Sequence, residues 1–231
     1  IPASSFHDPL IDVNLNLIPF LNFLEAINSS KVKKVVFTSS GGTIYGASNN
    51  LINEESIKNP ESPHGIIKLT MEYFLEYNLK KSGINYNIFR IANTYGENQN
   101  TSKGLGLINT ILEKVILKKQ IEIFGDGSFK RNYIYNKDVA MALSSVVNQN
   151  LEISEIYNLA SSESYSINEV LELIQEIIKE PLDVKYVNSR KSDLRSILID
   201  NSKFTEAHPK FRFTEILNGI KNTYNHIKNN I

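Results

Sequence analysis

His64 and Lys68 stand four residues apart in the stretch Asn59-Pro-Glu-Ser-Pro-His-Gly-Ile-Ile-Lys68. The residues before them read as a helix start, with Ser62 able to cap and Pro63 suited to the first helical position. On such a helix the imidazole and the ammonium share one face, about one turn apart, and address the same small volume. An imidazole, with an ordinary pKa near 6.5, can serve as a general base near neutrality. The bland alternative is a solvated pair on an exposed helix. A second stretch, Ser39-Ser40-Gly41-Gly42-Thr43-Ile44-Tyr45-Gly46, offers hydroxyls and bare backbone. By itself it reads equally well as a flexible turn.

The surrounding elements must position these groups. Residues 32–38, Val-Lys-Lys-Val-Val-Phe-Thr, have the β-branched composition of a strand buried in a parallel sheet. The serine-glycine stretch leaves its carboxyl end, where ligands of open α/β sheets gather. The spacing predicts a helix over 63–81, with Ile67, Met71, Phe74, Leu75 and Leu79 as its core stripe and Gly83 as its terminator. A strand over 85–92 follows, and strand–helix–strand in this order implies a right-handed parallel crossover. Upstream, residues 10–27 form an amphipathic helix that Pro19 should kink or divide. Downstream the pattern predicts helices over 105–118, 136–147, 167–179 and 213–227, strands over 121–124, 131–135 and 156–158, and shorter elements between 184 and 199.

At 231 residues and 26.2 kDa, with 41% hydrophobic residues, the chain can bury a substantial core. Its 25 basic residues balance 25 acidic ones, so net charge gives no reason to expect a nucleic-acid or membrane partner. The absence of cysteine excludes disulfides, thiolate catalysis and zinc–thiolate sites, and is compatible with cytoplasm. No apolar run reads as long enough to span a bilayer. No Gly-x-Gly-x-x-Gly follows a strand, and Gly104-Leu-Gly106 follows a loop and lacks a third glycine.

Four segments, residues 37–46, 59–68, 89–96 and 125–140, agree in order and spacing with the extended short-chain dehydrogenase/reductases. The chain resembles their UDP-glucose 4-epimerase branch. The resemblance implies an α/β fold: the later part of a Rossmann-type parallel sheet, doubly wound with helices, plus a smaller C-terminal α/β substrate lobe. Residues 1–98 are then a partial NAD-binding domain whose glycine-rich first half is missing, so this chain should bind NAD weakly or not at all. Residues 99–231 are mainly substrate lobe, with some segments returning to the first domain.

In the family, a tyrosinate takes the proton of the sugar 4-hydroxyl while hydride leaves C4 for NAD and later returns to the opposite face. The resemblance places Lys68 as the lysine that holds the nicotinamide ribose and lowers the base's pKa. His64 stands where the tyrosine would be. The family's serine falls on Gly41, leaving Ser40 and Thr43 as substitute hydroxyls. Ser39 and Ser40 join Lys68 on the cofactor side. Asn93, Arg131, Arg190 and Tyr45 match substrate-binding positions, the arginines as a clamp on a diphosphate. For the arginines the bland alternative is ion pairing with Asp138 and Asp193; Arg90 reads as a structural ion pair. The implied partners are a UDP-hexose and a second copy of the chain, in the cytoplasm. The implied function is NAD-dependent 4-epimerisation. Two alternatives stand beside it: a nucleotide-sugar binder that has lost turnover, and a sister epimerase or dehydratase.

Overall fold

The computed structural model describes residues 8–48, 50–101, 106–148, 153–188 and 196–230. Its first helical segment runs from Pro9 to Asn28 in three pieces: α1 (Pro9–Asp12), a π-helical turn (Val13–Leu17) and α2 (Ile18–Asn28). Pro19 accounts for the division. It has no N–H to give, and its ring would press on the carbonyl four residues back. The widened turn, with Ile18 N–H donating to the Val13 carbonyl, absorbs the mismatch.

By length and composition this segment is long and apolar enough to cross a bilayer, which corrects the reading that no run is. It carries only Asp12 and Glu25 as charges. In the fold, Phe20, Leu24 and Ile27 are buried in the core.

The strand β1 (Lys34–Ser40) ends in a single helical turn, α3 (Gly41–Ile44), so the serine-glycine stretch is half strand and half helix. The long helix α4 (Pro63–Ser82) starts and stops as its sequence predicts. Ser62 Oγ accepts from Gly65 N–H, and Gly83 takes the left-handed conformation that closes the last turn. Ile67, Met71, Leu75 and Leu79 are buried, whereas Phe74 is 39% exposed and does not belong to the buried stripe. Each fully buried leucine of that stripe contributes about 1.5–3 kcal/mol. The strand β2 (Asn85–Ile91) then pairs in parallel with β1 over its whole length.

After β3 (Asn93–Tyr95) come α5 (Leu107–Ile116), β4 (Ile121–Phe124), β5 (Lys130–Tyr135) and α6 (Asn136–Asn148). The remainder is β6 (Glu155–Leu159), β7 (Ser164–Ser166), α7 (Ile167–Ile178), β8 (Val184–Val187), α8 (Ser202–Ala207) and α9 (Ile216–Asn230). The short β7 and α8 lack a periodic run long enough to be legible beforehand. The principal sheet, in the order β1-β2-β6, is parallel throughout. A second sheet runs β3-β5-β7, with β7 antiparallel, and β4 pairs with β8.

Both faces of the principal sheet are covered. One side packs Val35, Tyr86 and Ile88 against α2 and α4; the other packs Phe89, Tyr157 and Leu159 against α6 and α8. A separate core joins Tyr95, Tyr133 and Tyr135 to α5, α7 and α9.

Two buried polar features belong to this frame. Arg90 on β2 and Glu72 on α4 pair through Nη2–Oε2 at 2.8 Å, with Nε reaching both carboxylate oxygens at 3.2 and 3.3 Å. The side chains are 3% and 1% exposed. Removing one partner of such a pair leaves a charge buried and alone. The second is His208, stacked on Phe204 at 4.5 Å between centroids, with Nε2 buried and unpartnered. Burial holds its pKa below the usual 6.5.

Glu72→Ala should lower the unfolding free energy by about 3–5 kcal/mol in urea denaturation. His208 resists protonation in the fold, so the unfolded chain takes that proton first. Stability from this site is present above the unfolded pKa and is lost as pH falls through and below it. Between pH 7.5 and 5.5, the Tm should therefore fall more in the natural protein than in His208→Phe.

Candidate functional site

Close backbone approaches converge at the carboxyl ends of β1 and β2. Gly65, in the first turn of α4, lies against the Thr43 carbonyl so tightly that a Cβ there would collide with it. That glycine lets the helix start rest directly on α3 and sets His64 beside Thr43. At Gly41 a Cβ would stand 2.9 Å from both the Arg90 carbonyl oxygen and Ile199 Cδ1, so a side chain there needs its neighbours to move. A Cβ at Gly42 would be 3.7 Å from Asn93 Oδ1, which brings the start of β3 to the same place.

Lys68, one turn beyond His64, donates from Nζ to the Thr38 carbonyl at 3.0 Å and lies over the Phe37 ring at 5.1 Å. Burial lowers its pKa, against the charges of Glu72 and Asp12, which raise it. His64 is 19% exposed in its side chain, and its Nδ1 is 3.7 Å from Oδ2 of Asp12, itself 1% exposed. Burial pushes the imidazole pKa down, Asp12 pulls it up, and the Lys68 charge again lowers it. The net shift is downward, so the proton-accepting form prevails at neutral pH.

Ser39 Oγ and Thr43 Oγ1 are buried without a hydrogen-bond partner, and Ser40 precedes α3 without capping it. Buried hydroxyls left without a protein partner are able to hydrogen-bond a ligand. No glycine-rich pyrophosphate cradle occurs among the described residues. His64, Lys68, Ser39, Ser40, Thr43 and Asn93 are thus brought together.

Other predicted residues are placed differently. Tyr45 is buried: its hydroxyl donates to Asn158 Oδ1 at 2.7 Å and accepts from Arg90 Nη1 at 2.9 Å. Burial pushes its pKa up to about 12 although Arg90 opposes the shift. Its hydroxyl faces the interior rather than a ligand. Arg131 lies on β5, in register with Tyr165, and donates to the Lys130 carbonyl at 2.9 Å. Asp138 accepts from the amide and hydroxyl of Thr214, both at 2.8 Å. Arg190 and Asp193 lie outside the described residues.

Three residues of consequence escape sequence reading. Asn132 accepts from Ile199 N–H through Oδ1 at 2.8 Å, and its carbonyl receives the Asn93 amide at 3.1 Å. Glu72 holds Arg90, and Asp12 faces His64. Each meets its partner across a gap in sequence that no local pattern spans; an acid four residues before Asn16, which donates to it at 2.8 Å, is the only local signal for Asp12.

Comparison with known proteins bears on the family and the fold. Residues 2–160 match the model of the NAD dependent epimerase/dehydratase family. A Methanocaldococcus jannaschii protein provisionally named UDP-glucose 4-epimerase is 32% identical over 228 residues, 98% of this chain and 73% of that protein. The UDP-glucose 4-epimerase of Thermotoga maritima, solved with UDP-glucose, superposes with a TM-score of 0.91 at 29% identity, covering 99% of this chain and 74% of that one. That of Thermus thermophilus, solved with NAD, gives 0.88 at 29% identity over 98% and 74%. The chain belongs to the NAD dependent epimerase/dehydratase family and carries the Rossmann-type fold of its nucleotide-sugar epimerases.

Proposed function

We propose that this chain is the catalytic part of a UDP-hexose 4-epimerase that oxidises the sugar transiently at C4 and reduces it on the opposite face. The observation that carries the reading is the convergence of His64, Lys68 and Thr43 at the carboxyl end of β1, through the Gly65–Thr43 contact and the Lys68–Thr38 hydrogen bond. NAD, the family's cofactor, accepts and returns the hydride when bound.

His64 takes the proton of the sugar 4-hydroxyl and gives it back; its depressed pKa keeps it ready to accept near neutrality. Imidazole is shorter than phenol, so a bridging water completes the reach where the ring alone does not. Lys68 holds the ribose hydroxyls, Ser39 and Ser40 line the cofactor side, and Thr43 and Ser40 offer hydroxyls to the sugar 4-oxygen. Asn93, Arg131 and Arg190 hold the diphosphate, arginine because its planar fork meets phosphate oxygens in pairs. Tyr45 serves from behind, through the Arg90 network. Residues 1–98 act as the cofactor side and 99–231 mainly as the substrate side, with β6 rejoining the principal sheet.

One observation favours a second reading, a nucleotide-sugar binder without turnover. The crowding of Gly41 against Arg90 and Ile199 means that the family's serine cannot be accommodated without movement.

A homodimer in the cytoplasm belongs to the first reading. Leu10, Leu15 and Phe23 on α1, the π turn and α2, and Ile66, Tyr73 and Tyr77 on α4, are exposed. On α4 these three residues recur at helical spacing and form one stripe. Two such faces make a four-helix contact.

Full-length protein with bound NAD verified should convert UDP-galactose to UDP-glucose, and His64→Ala should lower kcat about 10²–10⁴-fold. Silence in the natural protein with activity in His64→Tyr would identify a site that has lost its base. Silence in both would favour the binder. In sedimentation velocity the protein should run as a dimer, and Tyr73→Arg with Tyr77→Arg should shift it to monomer; a monomeric natural protein at all concentrations would sink the dimer.

A further inference from the structure

Asp12 is a buried acid, 1% exposed in its side chain. It ends α1, where the widened turn begins, and Asn16 on that turn donates to its Oδ1 at 2.8 Å. The other carboxylate oxygen, Oδ2, faces Nδ1 of His64 at 3.7 Å. A carboxylate that is 1% exposed and 3.7 Å from an imidazole nitrogen is placed to do two things as the ring takes up a proton. It selects the tautomer that carries its hydrogen toward the acid, and it stabilises the imidazolium formed when the ring accepts a proton.

We propose that Asp12 is the positioning residue for His64: its buried carboxylate keeps the ring proton on Nδ1 and the lone pair on Nε2, the nitrogen on the far side of the ring from Asp12. This rests on the reading of His64 as the base. A phenol has one polar atom and needs only a cation nearby to become a base, which Lys68 supplies. An imidazole has two nitrogens and must present the correct one, and Lys68, being positive, disfavours the charged ring that proton abstraction creates. Asp12 answers both requirements. Among the described residues, the charged groups bearing on His64 are Asp12, from the end of α1, and Lys68, on its own helix; α3, which packs against the same turn, brings no titratable side chain.

The step balances simply. The sugar 4-hydroxyl would give its proton to Nε2 while bound NAD would supply the acceptor for the C4 hydride; the ring, then charged, faces the Asp12 carboxylate, and the proton would return to the sugar oxygen when the hydride does. Asp12 keeps its charge and passes no proton.

The test is NMR of the full-length protein with ¹⁵N- and ¹³C-labelled histidine, with pH–rate profiles measured alongside. In the natural protein the neutral His64 ring should show its proton on Nδ1. In Asp12→Asn its titration midpoint should fall by at least about one pH unit, a tenfold loss of proton affinity. The acidic limb of kcat/KM should move down with it, and kcat should drop at least about tenfold while KM for UDP-galactose changes less than threefold. A purely structural Asp12 would leave the midpoint where it is. A proton on Nε2 in the natural protein, or an unchanged midpoint in Asp12→Asn, overturns the proposal. If the tautomer and the shift are as stated but no variant turns over UDP-galactose, the pairing stands and the reading of His64 as a base falls.

Discussion

The buried guanidinium of Arg90 is the interaction on which the rest of the site depends. Its donors reach the Glu72 carboxylate, the Tyr45 hydroxyl and the Glu54 carbonyl. Asn158 then closes the circuit, accepting from Tyr45 and donating its backbone N–H to Glu54 Oε1 at 2.7 Å and its amide to the Ile52 carbonyl at 3.1 Å. One charge thereby ties β2 to α4, to β6 and to the loop that follows α3. A buried charge is tolerated only when every donor is satisfied, and that demand fixes how these elements meet. The helix carrying His64 and Lys68 is held to the sheet from behind by this pair.

In front of that network, the site is formed mainly by backbone. Gly41 lets α3 meet β2, and Gly65 lets the start of α4 meet α3, where side chains would keep them apart. The polar groups that remain, Ser39 Oγ and Thr43 Oγ1, are left unsatisfied within the fold. Unpaired buried hydroxyls are costly, and binding sites are where such cost is recovered by a ligand.

Much of this arrangement is legible in the sequence, for identifiable reasons. The Ser62 cap, the Pro63 start and the Gly83 terminator delimit α4 because all three act within a turn of the residues they affect. The alternation of strand and helix around β1 and β2, and Arg90 as a structural ion pair, follow from pattern alone. The exposure of Phe74 does not, because helical periodicity gives the width of an apolar face and not where its edge falls. Tyr45 matches a ligand-binding position by its motif, whereas its hydroxyl is used by Asn158 and Arg90. Asp12, Glu72 and Asn132 are invisible beforehand because their partners lie far away in sequence and only the folded chain introduces them.

The contact between Gly65 and the Thr43 carbonyl has a bearing on how such a site can change over time. Because the seat of residue 64 is made by main chain on main chain, it does not depend on the side chain that residue 64 carries. A tyrosine and a histidine can occupy the same socket in different descendants of one ancestor without the platform being rebuilt. What must change with the head group is its electrostatic neighbour, a far smaller alteration than a new scaffold. The fold thus separates the head group of residue 64 from the main-chain platform that seats it.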